Sequence, residues 1–473
     1  MRPLLRIAPV LALASAVAWT TTATAPAAIS PQRVVSASDL DLSGFALAMN
    51  PSGARSAVVQ TGTRGSRTQL LTRLGRGRSF GSSQRLDDVR SRPGNGGFVL
   101  ITSPRVSVAP DGGAVAAWLI TTVARRDAQP SYRVRVAIAP DGERFGRART
   151  LLSSSRSRVE LTGLIAGRRG LAVVSWRRGP WTLVAVRRGS KGFGAHQRVA
   201  GSTDYGSPVT LALSPGGSVV AGWSTADAPT AQAAVLRAGG RRFGAARTVS
   251  APGEAARFGR TVAGPGGAGV AWSVATRFGD AANRALRFAR LSSATGFAAP
   301  VTLADVDASG GPQVALPRLG VLTAWRHYST ETEPGDNDSL SASRIAAAAS
   351  WAGGAAPRRL SEPPALARRP AVAALSDRAL IAWQQAPGSD EGSPLYLAVA
   401  GAGGWQPTQT ISPDPSAQGS GLTGTQLYDD EAYSSLDPAI VAGSRSALLG
   451  WMTREATSSQ SSRGQLRVVT YTP

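Results

Sequence analysis

The chain has 473 residues, no cysteine, two histidines and a formal net charge of +23. The lack of thiols excludes disulfides, thiolate metal centres and cysteine nucleophiles, and the length exceeds what one ordinary core organises, so several domains or a repeat architecture is required. Lys191 is the single lysine among 52 basic residues, and the arginines are spread without a dense run or basic helix, which argues against a specific nucleic-acid partner.

Residues 1–28 read as a secretory signal. Arg2 and Arg6 make a positive start, and Ile7 to Trp19 is an apolar run too short to span a bilayer. Ala25-Pro26-Ala27-Ala28 offers a small-residue cleavage region, and an uncleaved anchor is the alternative. No later stretch is long and apolar enough to cross a membrane as a helix. The expectation is a secreted or cell-wall-associated monomer whose folded domain occupies residues 29–473.

One phrase then recurs along the chain. Residues 105–118 read RVSVAPDGGAVAAW, with related copies at 45–60, 161–176, 209–223, 260–272, 312–325, 370–383 and 438–451. Each copy is an apolar strand, a turn with Gly, Pro, Asn, Ser or Asp, and a second apolar strand, which is a hairpin signature. The second strand ends in Trp118, Trp176, Trp223, Trp272, Trp325, Trp383 and Trp451, and only the first copy has Gln60 instead. An aromatic landmark follows at Phe80, Phe145, Phe193, Phe243, Phe297, Trp351 and Trp405, and introduces one more strand. A third strand lies between the two landmarks, so each repeat holds four strands, A to D.

Tryptophan spacings of 47 to 68 residues and strand-only repeats predict propeller blades. The eighth repeat stops after its third strand, QLRVVTY at 465–471, whereas QRVVSAS at 32–38 matches the fourth strand ARTVS at 246–250. The expected fold is all-β: a single β-propeller of eight four-stranded blades, closed by strand 32–38 pairing into the last blade. Seven blades is the alternative, because the first copy is divergent. The tryptophans are predicted to fill the wedges between blades, and a ring of sugar-stacking aromatics is the competing reading.

The turn Pro110-Asp111-Gly112-Gly113 resembles that of TolB-like (WD40-like) propeller repeats. The resemblance covers the hairpin of each repeat. It implies the fold and a capacity to bind protein or ligand, and it implies no reaction. The same phrase is superficially similar to the Asp-box of sialidases, but Asp111 and Trp118 stand too far apart for that box and no serine precedes Asp111 by two residues.

The long connections are the B–C loops at 119–132, 326–341, 384–394 and 452–464 and the D–A connections at 86–104 and 413–436, all of which emerge on one face. Three of them are acidic. Glu333, Asp336, Asp338, Asp429 and Asp430 are candidate ligands for a hard cation such as calcium, with a solvated surface loop as the competing reading. Arg326, His327, Tyr328, Asp390 and Tyr428 are the candidate ligand-binding residues on the same face. His196 is expected on a blade surface. No catalytic motif is present, so the expected function is an exported, non-catalytic module that binds a protein or polysaccharide without an obligatory cofactor. The alternatives are an extracellular carbohydrate-active enzyme (a sialidase-like hydrolase or a lyase) and a basic adhesin for anionic cell-wall polymer.

Overall fold

The second repeat illustrates how these residues make a blade. Strands Phe98–Val108 and Ala114–Val123 pair antiparallel around the turn at 109–113. Gly112 adopts φ +95° there, which glycine tolerates without a Cβ clash, and its N–H donates to the Ala109 carbonyl at 2.9 Å. Ser131–Ala139 and Arg149–Ser154 complete the sheet in the order A–B–C–D.

A computed structural model describes residues 28–36, 41–64, 66–77, 79–91, 97–125, 128–201, 208–225, 229–275, 283–293, 296–328, 343–350, 357–361, 366–367, 370–386, 394–412, 438–458 and 461–473. All secondary structure among these residues is strand, and it forms eight antiparallel four-stranded blades arranged as a propeller. Blades 1 to 5 begin at Asp41, Phe98, Val159, Thr210 and Ala255. The strand Val301–Ala315 serves twice, as the D strand of blade 5 and then as the A strand of blade 6. Blades 7 and 8 begin at Ala371 and Ala439. The A strands of successive blades touch all the way round, including blade 8 against blade 1.

The predicted closure between residues 32–38 and 465–471 is present. Arg33 and Val34 pair with Val468 and Arg467, and Ala28 and Ile29 pair with Thr472 and Tyr471. The Val35 N–H donates to Leu466 O at 2.9 Å. Residues 28–29 and 33–34 are therefore strands of the same sheet as 461–472 and supply the outer strand of blade 8.

Every seam between blades holds its own apolar cluster, and the tryptophans fill seven of the eight. Trp118, Trp176, Trp223, Trp272, Trp325, Trp383 and Trp451 are all at most 2% exposed. Their burial excludes the sugar-stacking ring and contributes a few kcal/mol each at ~25 cal/mol per Å². The seam between blades 8 and 1 is filled by Phe45, Leu47, Val58, Met452 and Leu466 instead. Gln60 is fully buried, and its amide has no hydrogen-bond partner among the described residues.

Two connections expected as loops are largely strand. Residues 452–464 form a long hairpin in which Ala447–Ser458 and Ser461–Thr472 stay paired out to Ser458 and Ser461. The 86–104 connection likewise contains Gln84–Arg90 and Phe98–Val108.

Candidate functional site

The A strands of successive blades touch around the ring, and one position recurs along them in blades 2 to 8. That position is the A-strand partner of the residue preceding the tryptophan. It holds Arg105, Gly163, Thr210, Arg260, Gln313, Ala371 and Ala439 in blades 2 to 8. Two of these seven side chains are therefore cationic, two are neutral polar and three are small.

Both arginines follow a β-bulge. The register shifts between Thr102 and Arg105 and between Arg257 and Arg260. Within the bulges, Ser103 and Phe258 take φ of +50° and +52°. For a residue as bulky as Phe258 this costs on the order of 1–3 kcal/mol. Bulges re-aim the side chains beside them, and a register shift at the same place precedes Gly44 in blade 1, Gly163 in blade 3 and Gln313 in blade 6 as well.

Arg105 is solvent-accessible, yet protein surrounds it closely enough that burial lowers its guanidinium pKa, an effect that the nearby Glu160 carboxylate opposes. Access and enclosure coexist for a side chain in the space that eight converging strands surround. Arg260 donates to Gln313 Oε1 at 3.5 Å across the seam between blades 5 and 6. Thr210 Oγ1 accepts from the Thr261 N–H at 2.7 Å across the preceding seam.

Carboxylates are scarce here. Outside the shared strand Val301–Ala315, the A strands carry Asp41 and Glu160 among the described residues, and each has a structural partner, whereas Asp305 is exposed on the shared strand. The Gly464 N–H donates to Asp41 at 3.1 Å, and Arg177 donates to Glu160 at 2.7 Å. Asp111, the acid of the repeated turn, accepts from the Arg169 N–H of the next blade at 2.9 Å. It links two turns, as a packing residue would.

Of the residues singled out from the sequence, Arg326 is half-buried in the B strand Leu322–Tyr328, paired with Ser309 and Ile345. His327 and Tyr328 end that strand, opposite Arg344 and Ser343. Asp390, Tyr428, Glu333, Asp336, Asp338, Asp429 and Asp430 lie outside the described residues. His196 is exposed at the start of the blade 3 D strand and meets the edge of Trp176 at 6.2 Å between ring centroids. Arg105 and Arg260 escaped the sequence reading. Their shared place in the repeat was a usable signal, but the bulges shift the alignment there.

No family model and no curated protein matches the chain. Among solved structures, a prolyl endopeptidase matches at TM-score 0.45 with 14% identity, over 88% of this chain and 54% of its own, so the chain spans about half the length of that enzyme. An ulvan lyase of polysaccharide lyase family PL25 matches at TM-score 0.44 with 10% identity, over 80% of this chain and 98% of its own. A neuraminidase-like protein from A/bat/Guatemala matches at 0.37 with 8% identity, over 79% and 89%. Likenesses this distant assign no activity, and the TolB-like resemblance rests on the repeated turn alone.

Proposed function

We propose that the chain is an exported, non-catalytic propeller that binds an anionic ligand. The observation that carries this reading is the pair of arginines at one inner-strand position, Arg105 and Arg260, beside Asp41 and Glu160, whose carboxylates are engaged by structural partners. General acid–base work on a glycoside needs two carboxyl groups free to face the substrate. Arginine in an enclosed, low-dielectric space favours a carboxylate, sulfate or phosphate instead. The long-loop face of blades 6 to 8, with Arg326, is the proposed working face. Export by residues 1–28 belongs to the same proposal.

The test is to incubate the full chain with neutral and acidic polysaccharides. Reducing ends and unsaturated products are followed alongside retention on each polymer. Retention without turnover supports the reading. Release of products, lost on Arg105→Ala or Arg260→Ala, makes the chain an enzyme and overturns it.

A further inference from the structure

The seams between blades are not equivalent. At the seam between blades 1 and 2, the Gln84 side chain donates to Phe145 O at 2.7 Å and accepts from Phe145 N–H at 2.9 Å. Gln197 grips Phe243 in the same way, at 2.9 Å twice, between blades 3 and 4. This two-point amide clip ties the D strand of one blade to the aromatic landmark of the next. The clipped Phe145 and Phe243 are 3% and 5% exposed. Between blades 2 and 3 the clip position holds Arg149, and the landmark Phe193 is only half-buried.

A groove of about 1050 Å³ runs along that unclipped seam. This is at the upper end of the range for small-ligand sites, ~300–1,000 Å³. Its floor is apolar, with Val136, Ile138 and Leu151, and Phe193 forms part of the wall. Arg147, Arg149, Arg187 and Lys191 line it, and no carboxylate does. Arg187 donates to the Gly170 carbonyl at 2.9 Å. Among the described residues, the other three have no ion pair or side-chain hydrogen bond. Burial, and then the charge of Arg149, lower the Arg187 guanidinium pKa. Trp176 borders the same groove, and its buried indole N–H has no partner.

We infer that the groove between blades 2 and 3 binds a segment of acidic polysaccharide, its sugar faces on the apolar floor and Phe193, its anionic groups on Arg147, Arg149, Arg187 and Lys191. Acidic sugars present an apolar C–H face and a carboxylate or sulfate on one ring, and this groove pairs those two features. A nucleic-acid strand is disfavoured because base stacking needs open aromatic faces. Here Trp176 is 1% exposed, which leaves the half-buried Phe193 and the small ring of the exposed His196. The inference rests on the binding-module reading but uses a different surface from the inner ring.

The full chain is titrated with polygalacturonate, dextran sulfate, neutral dextran and a thymidine oligonucleotide. Tight binding of one or both acidic polymers, and not of dextran, is expected, and their order tells carboxylate from sulfate recognition. Arg149→Gln installs the clip residue of the neighbouring seams and is expected to weaken binding at least tenfold. Arg147→Gln with Lys191→Gln alters exposed residues alone and is expected to do the same without touching the fold. Binding indifferent to both variants overturns the inference. So does equal binding of dextran, or preferential groove-dependent binding of the oligonucleotide. Turnover of a polymer would instead break the non-catalytic reading, so the two failures are distinguishable.

Discussion

The seam between blades 1 and 2 and the seam between blades 2 and 3 are built on the same pattern and finished differently. In the first, the Trp118 indole donates to Asp87 at 2.8 Å and Arg135 donates to the same oxygen at 2.6 Å. Arg135 also stands 5.8 Å above the Trp118 ring, Gln84 clips Phe145, and Arg76 reaches Glu143. In the second, the positions of Asp87, Arg135 and Gln84 hold Leu152, Leu183 and Arg149. Trp176 is as buried as Trp118, so the apolar wedge alone holds the inner part of the seam. The outer part opens into the cationic groove. Apolar packing thus fixes the ring, and the polar outer positions decide which seams close.

The largest effect separating the two seams is expected from removing the wedge. Trp118→Ala and Trp176→Ala each create a cavity worth about 3–5 kcal/mol. Trp118→Ala also strips Asp87 of one donor, so its urea-unfolding midpoint should fall further than that of Trp176→Ala. Equal midpoints would mean that the indole bond to Asp87 contributes nothing measurable.

Next in size is the clamp. The Asp87 side chain is 9% exposed and that of Arg135 25%, so Asp87→Leu leaves a cation that only partly reaches water. The expected cost is about 2–3 kcal/mol, less than for a fully buried pair. Adding Arg135→Leu recreates the Leu152–Leu183 arrangement. The double variant should therefore be more stable than the sum of the two single losses, a coupling that a double-mutant cycle reads directly.

The clips come third. Gln84→Ala removes two hydrogen bonds and should cost about 1–2 kcal/mol. Arg149→Gln should gain up to about 1 kcal/mol by adding the same pair between blades 2 and 3. If Arg149→Gln is destabilising, the groove is kept open by something other than the missing amide.

These contrasts also mark what the sequence could carry. The blades and the burial of the tryptophans were legible because the same phrase recurs in every repeat, and the closing strand because it matches the fourth strand that the last repeat lacks. Arg105 and Arg260 were not, because a bulge puts two residues where the pattern allows one. Asp87 was invisible for a different reason. Its partners Trp118 and Arg135 come from the next blade, and a carboxylate 31 residues before a tryptophan has no local signature. The groove is a difference between repeats, and alignment on what repeats share removes it from view. The calcium candidates on the acidic loops have no counterpart among the described residues.

The smallest effect is expected at a carboxylate that reaches water. Asp377 and Arg378 pair at 2.7 Å on the turn that opens the blade 7 B strand, with the Asp377 side chain 57% exposed. The Arg378 hydrogen bond holds the Asp377 carboxyl below the usual carboxylate range, against the opposing effect of burial. A depressed pKa favours the folded state wherever the unfolded carboxyl is already ionised, above about pH 4. That contribution fades as the pH falls through the folded value. Because the Asp377 side chain is exposed, Asp377→Asn should change stability by less than about 1 kcal/mol at neutral pH. The difference from the parent chain should vanish once the pH has fallen below the lowered folded value and shrink in high salt. A loss as large as that of Asp87→Leu would show that exposure does not rank these contacts, and the contrast between the two seams would then need a cause other than burial.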